Sequence, residues 1–401
     1  MDFYFLPPWP PQFNDTMQVA VALMLAGLAG EGAARFVRLP RVSSYALTGL
    51  ILGPTVLGWF GQPELSLFRI GIDLALALLL FELGVRVELR WFRANPWILL
   101  SSIAEAGLTF AGTYAVLKLM GSSSDLSRVV AAIAIGTSPA IVMRVASELR
   151  AEGQVTQRLL VHTALNVLYS IVLLKLIIGG MHGSLRNDWG AAVLQPVYLL
   201  SGSILMGAAI AMAFGLLRRG FSLSDEQGVA ILFGLLLLAT AVLQVLALPP
   251  LLAPLLAGML VKQWDRRPHL WPRHLGTAGG VLVIFLFVLT GATLTSQAIV
   301  SGGLAALVLI AVRVACKGLG VALFGHISGL SWRQTLSLGL ALMPMSAVAY
   351  LLVEDVRSIY PELGNQVGAV VLSMVAVLGL IGPIAVQWAL RLNHETKEGP
   401  G

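Results

Sequence analysis

Charge and thiols are both scarce in this chain, and each scarcity excludes a class of protein. Only 11% of its 401 residues are Asp, Glu, Lys or Arg, where an ordinary soluble domain carries about 25%. Hydrophobic residues make up 57%, and they fall in long runs. A soluble globular chain is therefore excluded, and an all-α polytopic membrane protein is expected. The one cysteine, Cys316, sits inside such a run. It allows no disulfide within the chain and no cysteine metal cluster. No glycine-rich phosphate loop follows a strand-like segment, so nucleotide binding has no support and no cofactor is expected. The net charge of +6 reads as a topology signal, not as a nucleic-acid footprint.

About thirteen spans of roughly 20 residues are expected. Their limits are near 15–35, 42–59, 68–84, 96–119, 126–147, 158–178, 193–217, 226–246, 249–263, 276–295, 300–324, 333–353 and 366–390. Residues Met1 to Asp15 are Pro-rich, lack a signal-peptide pattern and read as an extramembrane lead-in. Arg35, Arg38, Arg41, Arg86, Arg90, Arg93, Arg144, Arg150, Arg158, Arg218, Arg219, Lys262, Arg266, Arg267, Arg273, Arg333, Arg391 and Lys397 fall near loops on one side. Glu64, Asp125, Asp188 and Glu362 mark the other side. The positive-inside rule then puts the N-terminus outside and the C-terminus in the cytoplasm.

Two spans are interrupted at matching places in the two halves. The first break is Thr137-Ser138-Pro139-Ala140 and the second is Met343-Pro344-Met345-Ser346. Paired interruptions of this kind point to a transporter's binding site, because unwound backbone survives at membrane depth only where it is packed in protein or lines a cavity. A broken span with a polar-faced neighbour recurs as 126–178 and, in reversed order, 300–353, the trace of an inverted repeat. The whole chain then reads as one transporter domain. Residues 1–190 form the first repeat with an extra N-terminal span, and 191–222 a linker helix. Residues 223–392 form the second repeat, and 393–401 a cytoplasmic tail.

Ionisable groups inside a membrane are costly, by about 2.5–3.5 kcal/mol each on insertion scales, and are functional candidates by default. Arg313 and Lys317 lie four apart and share one helix face. They offset either a carboxylate or half-helix dipoles, unless Lys317 snorkels to the interface. Ser101, Glu105, Thr109 and Thr113 recur every four residues as one polar stripe. Glu105 has no base three or four residues away, so its partner must come from another helix, with Arg313 and Lys317 the candidates; it also qualifies as a proton carrier. Asn166, with His162 one turn before and Ser170 one turn after, forms a second polar face. Its oxygen suits a cation and His162 a proton relay, although interhelical hydrogen bonding is the plainer role for both. Thr137, Ser138 and Ser346 contribute hydroxyls and freed carbonyls at the breaks. Glu31 and Arg35 read as a structural i, i+4 pair, Asp73 and Glu82 as interfacial, and Lys175 as a snorkelling lysine. Gly49 and Gly53 read as close-packing sites.

Taken in order, these segments resemble the monovalent cation:proton antiporter superfamily, in the membrane domain of its Kef- and Nha-type (sodium/hydrogen exchanger) branch. The similarity is carried by Tyr45-Ala46-Leu47-Thr48-Gly49-Leu50-Ile51-Leu52-Gly53-Pro54, Leu80-Phe81-Glu82-Leu83-Gly84, and Thr137-Ser138-Pro139-Ala140-Ile141 followed by Glu148-Leu149. Arg313 and Lys317 match the family's basic helix, and the break from Met343 to Ser346 matches its second crossover. The resemblance implies two crossed interrupted helices, a core and a dimerisation domain, and a homodimer in a bacterial inner (plasma) membrane. It implies alternating access in which a cation and a proton compete for one carboxylate. The family's sixth-span acid has no counterpart: Leu165-Asn166-Val167 occupies its place, and 159–178 contains no acid. Glu105 is then the candidate substitute in a Na⁺ or K⁺/proton antiporter. An anion or organic-acid transporter on the same fold, and a non-transporting sensor or assembly subunit, are the alternatives.

Overall fold

A computed structural model describes residues 15–54, 56–59, 69–186, 189–220, 225–264, 275–292 and 296–397. The Pro-rich lead-in, Glu64, Asp188, Arg266, Arg267, Arg273 and the last four residues lie outside them. Every regular element described is helical. The first three are α1 (Asp15–Gly32, continued by a π turn at Ala33–Val37), α2 (Arg41–Leu52) and α3 (Arg69–Val85). A short α4 (Leu89–Ala94) leads into α5 (Pro96–Leu119), then α6 (Ser124–Ile135), α7 (Pro139–Glu148) and α8 (Gln154–Arg186). The second half holds α9 (Trp189–Gly220), α10 (Asp225–Val245), α11 (Leu252–Trp264) and α12 (Leu275–Ala292). It closes with α13 (Ser296–Gly325, kinked at Gly303), α14 (Trp332–Ala341), α15 (Ala347–Ile359) and α16 (Pro361–Leu392).

Eight segments among the described residues are long and apolar enough to cross a membrane. This is a multi-pass membrane protein. Each of the thirteen expected spans falls on a helix, and the two expected to be broken fall on the pairs α6/α7 and α14/α15. Local chemistry sets several starts. Pro96 and Pro361 occupy first turns, where a missing N–H costs nothing. Ser123 caps α6 by accepting from the Leu126 amide at 3.2 Å, and Ser331 with Gln334 forms a reciprocal capping box on α14.

The helices sort into two packed groups. In the first, α5–α8 pack with α13–α16; in the second, α1–α3 pack with α10–α12. Helix α9 lies along both α8 and α11, bridging the groups. The second group is drawn tight by small residues. A Cβ built on Gly49 would lie 2.0 Å from the Val288 carbonyl oxygen, and one on Gly258 would lie 2.1 Å from that of Phe81. The assignment of Gly49 to close helix packing is therefore geometric. In the first group α5 and α13 run antiparallel: Asn95 donates to the Ser328 carbonyl at 3.0 Å, Trp97 stacks on Phe324, and Gly112 faces Cys316. Large apolar side chains such as Leu205, Leu238 and Leu319 point outward, as a lipid-facing surface requires.

One expected pair is replaced. Glu31 bonds Arg41 at 2.9 Å instead of forming a pair with Arg35. The π turn at Ala33–Val37 breaks the i, i+4 register between them.

Candidate ion site at the crossing of two broken helices

The two interruptions meet each other. Helix α6 ends at Ile135, and Pro139 starts α7 after three non-helical residues. Helix α14 ends at Ala341, and Pro344 removes an N–H and disfavours helix for Met343 before α15 begins at Ala347. The Ser138 amide donates to the Pro344 carbonyl at 2.9 Å, and the Thr137 hydroxyl donates to the Leu342 carbonyl at 3.0 Å. The Ser138 and Ser346 hydroxyls share a hydrogen bond. Ser138 also caps α7 through the Ile141 amide at 3.3 Å. Ser346 further lines a gap of about 20 Å³ against Phe287, Thr290 and Val375, on the seam between the two helical groups.

Four helix ends thus converge, two positive and two negative. Carbonyls at a helix C-terminus carry roughly half a negative charge and favour cations. Arg313 supplies one. Its guanidinium donates to the carbonyls of Ala134 at 2.7 Å, Gly136 at 2.7 Å and Met343. Three acceptors in three directions use the planar fork as a lysine could not. Lys317 supplies the other, donating to the Ile135 carbonyl at 2.9 Å and to the Thr137 hydroxyl at 3.3 Å.

Lys317 also forms an ion pair with Oε1 of Glu105, and both side chains are fully buried. The helices must touch for this. A Cβ on Gly320 would sit 2.3 Å from the Glu105 Cα, so only glycine lets α13 lie this close to α5. Lys317 is therefore not a snorkelling lysine. The second oxygen, Oε2, faces His162 Nδ1 at 3.9 Å. Asn166 donates through Nδ2 to the Thr137 hydroxyl at 3.1 Å. Three buried polar atoms then have no hydrogen-bond partner: Glu105 Oε2, His162 Nδ1 and Asn166 Oδ1. Orphaned buried polar atoms in a native site call for an occupant.

All eight site candidates are buried and gathered here: Glu105, Thr137, Ser138, His162, Asn166, Arg313, Lys317 and Ser346. Val167 is wholly buried in the apolar core beside them. Ser170 bonds the Ala132 carbonyl at 2.9 Å and serves the α6–α8 contact. No group of three or more His, Cys, Asp or Glu that would suit a metal ion exists among the described residues.

Two groups were misjudged from sequence. Asp73 and Lys175, expected at the interface, are 5% and 4% exposed. Lys175 pairs with Asp355 and Asp73 accepts from Gln244 at 3.3 Å. Nothing in the spacing of residues 180 positions apart could have revealed the first of these pairs.

Known proteins share this fold. The family described as sodium/hydrogen exchanger, transmembrane, matches residues 20–392. A Na(+)/H(+)-K(+) antiporter, GerN of Bacillus cereus, is 32% identical over 114 residues, which is 27% of this chain and 28% of that protein. The fold is that of the sodium proton antiporter MjNhaP1 from Methanocaldococcus jannaschii. Its structure at pH 8 matches with a TM-score of 0.66 and 17% identity over 94% of this chain and 95% of that one. Its electron-microscopy structure matches with a TM-score of 0.72 and 17% identity over 95% and 98%.

Proposed function

Since the chain belongs to the sodium/hydrogen exchanger family, we propose that it exchanges Na⁺ or K⁺ for protons by alternating access, with Glu105 as the carboxylate for which the cation and the protonated Lys317 compete. The observation that carries this reading is the pair of unpartnered buried oxygens, Glu105 Oε2 and Asn166 Oδ1, beside the Nδ1 of His162. Oxygen donors of this type suit a hard monovalent cation.

Charge balance supports exchange over simple binding. Arg313 is committed to backbone carbonyls, so Lys317 neutralises Glu105. A cation arriving at Oε2 would leave a surplus positive charge in a buried site, which is expensive. Loss of one proton from Lys317 removes that surplus: the cation takes over Glu105, and a neutral amine and a free proton result. The reverse step reprotonates Lys317 and expels the cation. His162, 3.9 Å from Oε2, is the candidate relay for that proton. The anion reading loses ground on the same geometry, because the donors of Arg313 already serve carbonyls.

The same proposal covers the wider arrangement. Each break is flanked by two long helices, α5 and α8 in one half and α13 and α16 in the other, which supports an inverted repeat. The clustering of Arg38, Arg41, Arg150 and Arg333 supports a cytoplasmic location for that end. A homodimer is what the family resemblance implies. The site itself is tested in proteoliposomes. Proton flux driven by a Na⁺ or K⁺ gradient should vanish in Glu105→Gln, and full retention would overturn the role given to Glu105.

A further inference from the structure

The buried polar atoms without a partner do not stop at the crossing. Between α5 and α8 they continue as the hydroxyls of Ser102 and Tyr169. Ser102 is fully buried and stands three residues before Glu105, on the same face of α5. Tyr169 stands three residues beyond Asn166 and seven beyond His162, on the same face of α8. The tyrosine is half-buried as a residue, but its hydroxyl oxygen is wholly enclosed.

Packing brings these two hydroxyls together. Arg158 of α8 and Asn95, which opens α5, both donate to the Ser328 carbonyl, at 2.6 and 3.0 Å. That shared acceptor fixes the register of the two helices. From it, Tyr169 is eleven residues along α8 and Ser102 seven along α5, an offset of roughly 6 Å at helical rise. A long helical side chain leans back toward its helix N-terminus. The tyrosine therefore spans the offset, and its hydroxyl faces that of Ser102 within the field of Glu105. Its ring packs with Ile98, Val161 and Leu165, beside Trp91 and Phe92 at the elbow of α4 and α5. From Glu105 the two hydroxyls thus lead toward the basic end. In the other direction the next hydroxyl of the stripe, that of Thr109, donates to the Glu105 backbone carbonyl at 2.7 Å.

We propose that Ser102 and Tyr169 form a proton-only branch of the exchange site, joining Glu105 to the elbow of α4 and α5, apart from the place at Asn166 where the cation is held. A hydroxyl both donates and accepts, so a pair of them passes a proton without keeping a charge. One proton leaves Lys317 Nζ for the Glu105–His162 pair. From Glu105 Oε2 it bonds to Ser102 Oγ as that hydroxyl's own proton moves to Tyr169 Oη, and the tyrosine's own proton is released at the elbow. Both hydroxyls end as they began, and the reverse shift recharges Lys317. The inference rests on the exchange reading above.

Tyr169→Phe tests it, because the ring and its packing stay and only the hydroxyl goes. Deleting a buried hydroxyl that bonds nothing removes a cost of folding, so the thermal midpoint in detergent should hold or rise. Proton flux in proteoliposomes, driven by a Na⁺ or K⁺ gradient, should nonetheless lose maximal rate by about tenfold or more, with KM for the cation unchanged. The residual flux should slow further in D₂O than that of the parent, since the impaired step is the proton's. Ser102→Ala should show the same signature, and the double variant should be no slower than the slower single one, as for two groups on one route. An unchanged maximal rate in either variant would overturn the branch. So would a raised KM at full rate, which would make the hydroxyls cation ligands, or a rate loss that follows a lowered thermal midpoint. A parent without cation-driven proton flux overturns the exchange reading as well; an active parent with an indifferent Tyr169→Phe overturns the branch alone.

Discussion

Asn166 of α8 and Lys317 of α13 converge on one hydroxyl, that of Thr137 in the first break. The hydroxyl spends its own proton on the Leu342 carbonyl of the second break. Thr137 therefore ties the polar helix, the basic helix and both interruptions into one network. What that network leaves open is the Asn166 carbonyl oxygen, buried and without a partner.

Removing that oxygen should weaken cation binding more than it weakens the fold. Asn166→Leu deletes one proposed ligand, worth about 1–3 kcal/mol in a buried site, or roughly 5–150-fold in apparent affinity. Proton flux measured against Na⁺ or K⁺ concentration should show KM rising by that factor, with the maximal rate less affected. An unchanged KM would take Asn166 out of the site.

The Glu105–Lys317 pair should behave as a unit. Deleting one member of a buried ion pair leaves the other uncompensated and costs about 3–5 kcal/mol, while replacing both with apolar groups is often close to neutral. Glu105→Gln and Lys317→Met should each lower the thermal midpoint in detergent. The double variant should recover most of that loss, yet remain inactive in exchange. Additive destabilisation would mean that the two residues do not depend on each other.

Much of this site is legible in the sequence because lipid makes certain residues conspicuous. Glu105, Arg313 and Lys317 stand out in apolar runs, and proline with small polar neighbours marks both breaks. The apolar run even gives α5 its limits, 96–119. What stays hidden is anything decided by helices meeting far apart in the chain. Lys175 and Asp73 look interfacial because each lies near the end of its span, yet packing buries both. Glu395 looks like tail, but its carboxylate accepts from the Val155 and Thr156 amides at 2.8 and 2.7 Å and so caps α8, the helix of His162 and Asn166. Capping from 240 residues away leaves no local pattern to read.

Arg313 should tolerate lysine poorly. Its fork reaches carbonyls on both breaks, whereas an ammonium concentrates its donors at one point. Arg313→Lys leaves at least one buried carbonyl unserved, a loss of about 1–3 kcal/mol. The expected outcome is a lowered thermal midpoint and slowed exchange at every pH, because the defect lies in how the half-helices are held. A variant with full stability and a shifted pH profile would instead put Arg313 among the titrating groups.

The closeness of α5 and α13 can be tested with a single methyl group. Gly320→Ala would drive a Cβ to 2.3 Å from the Glu105 Cα, which is backbone and cannot rotate aside. The helices must separate, and overpacking of this kind costs about 1–3 kcal/mol. Because the Glu105–Lys317 pair spans that same contact, exchange should fall along with stability. Gly318, two residues away on α13, is the control: a Cβ there meets nothing within 4 Å. Gly318→Ala should be neutral or stabilising by up to about 1 kcal/mol, from helix propensity alone. Equal behaviour of the two variants would mean that the contact at Gly320 does not hold Glu105 in place.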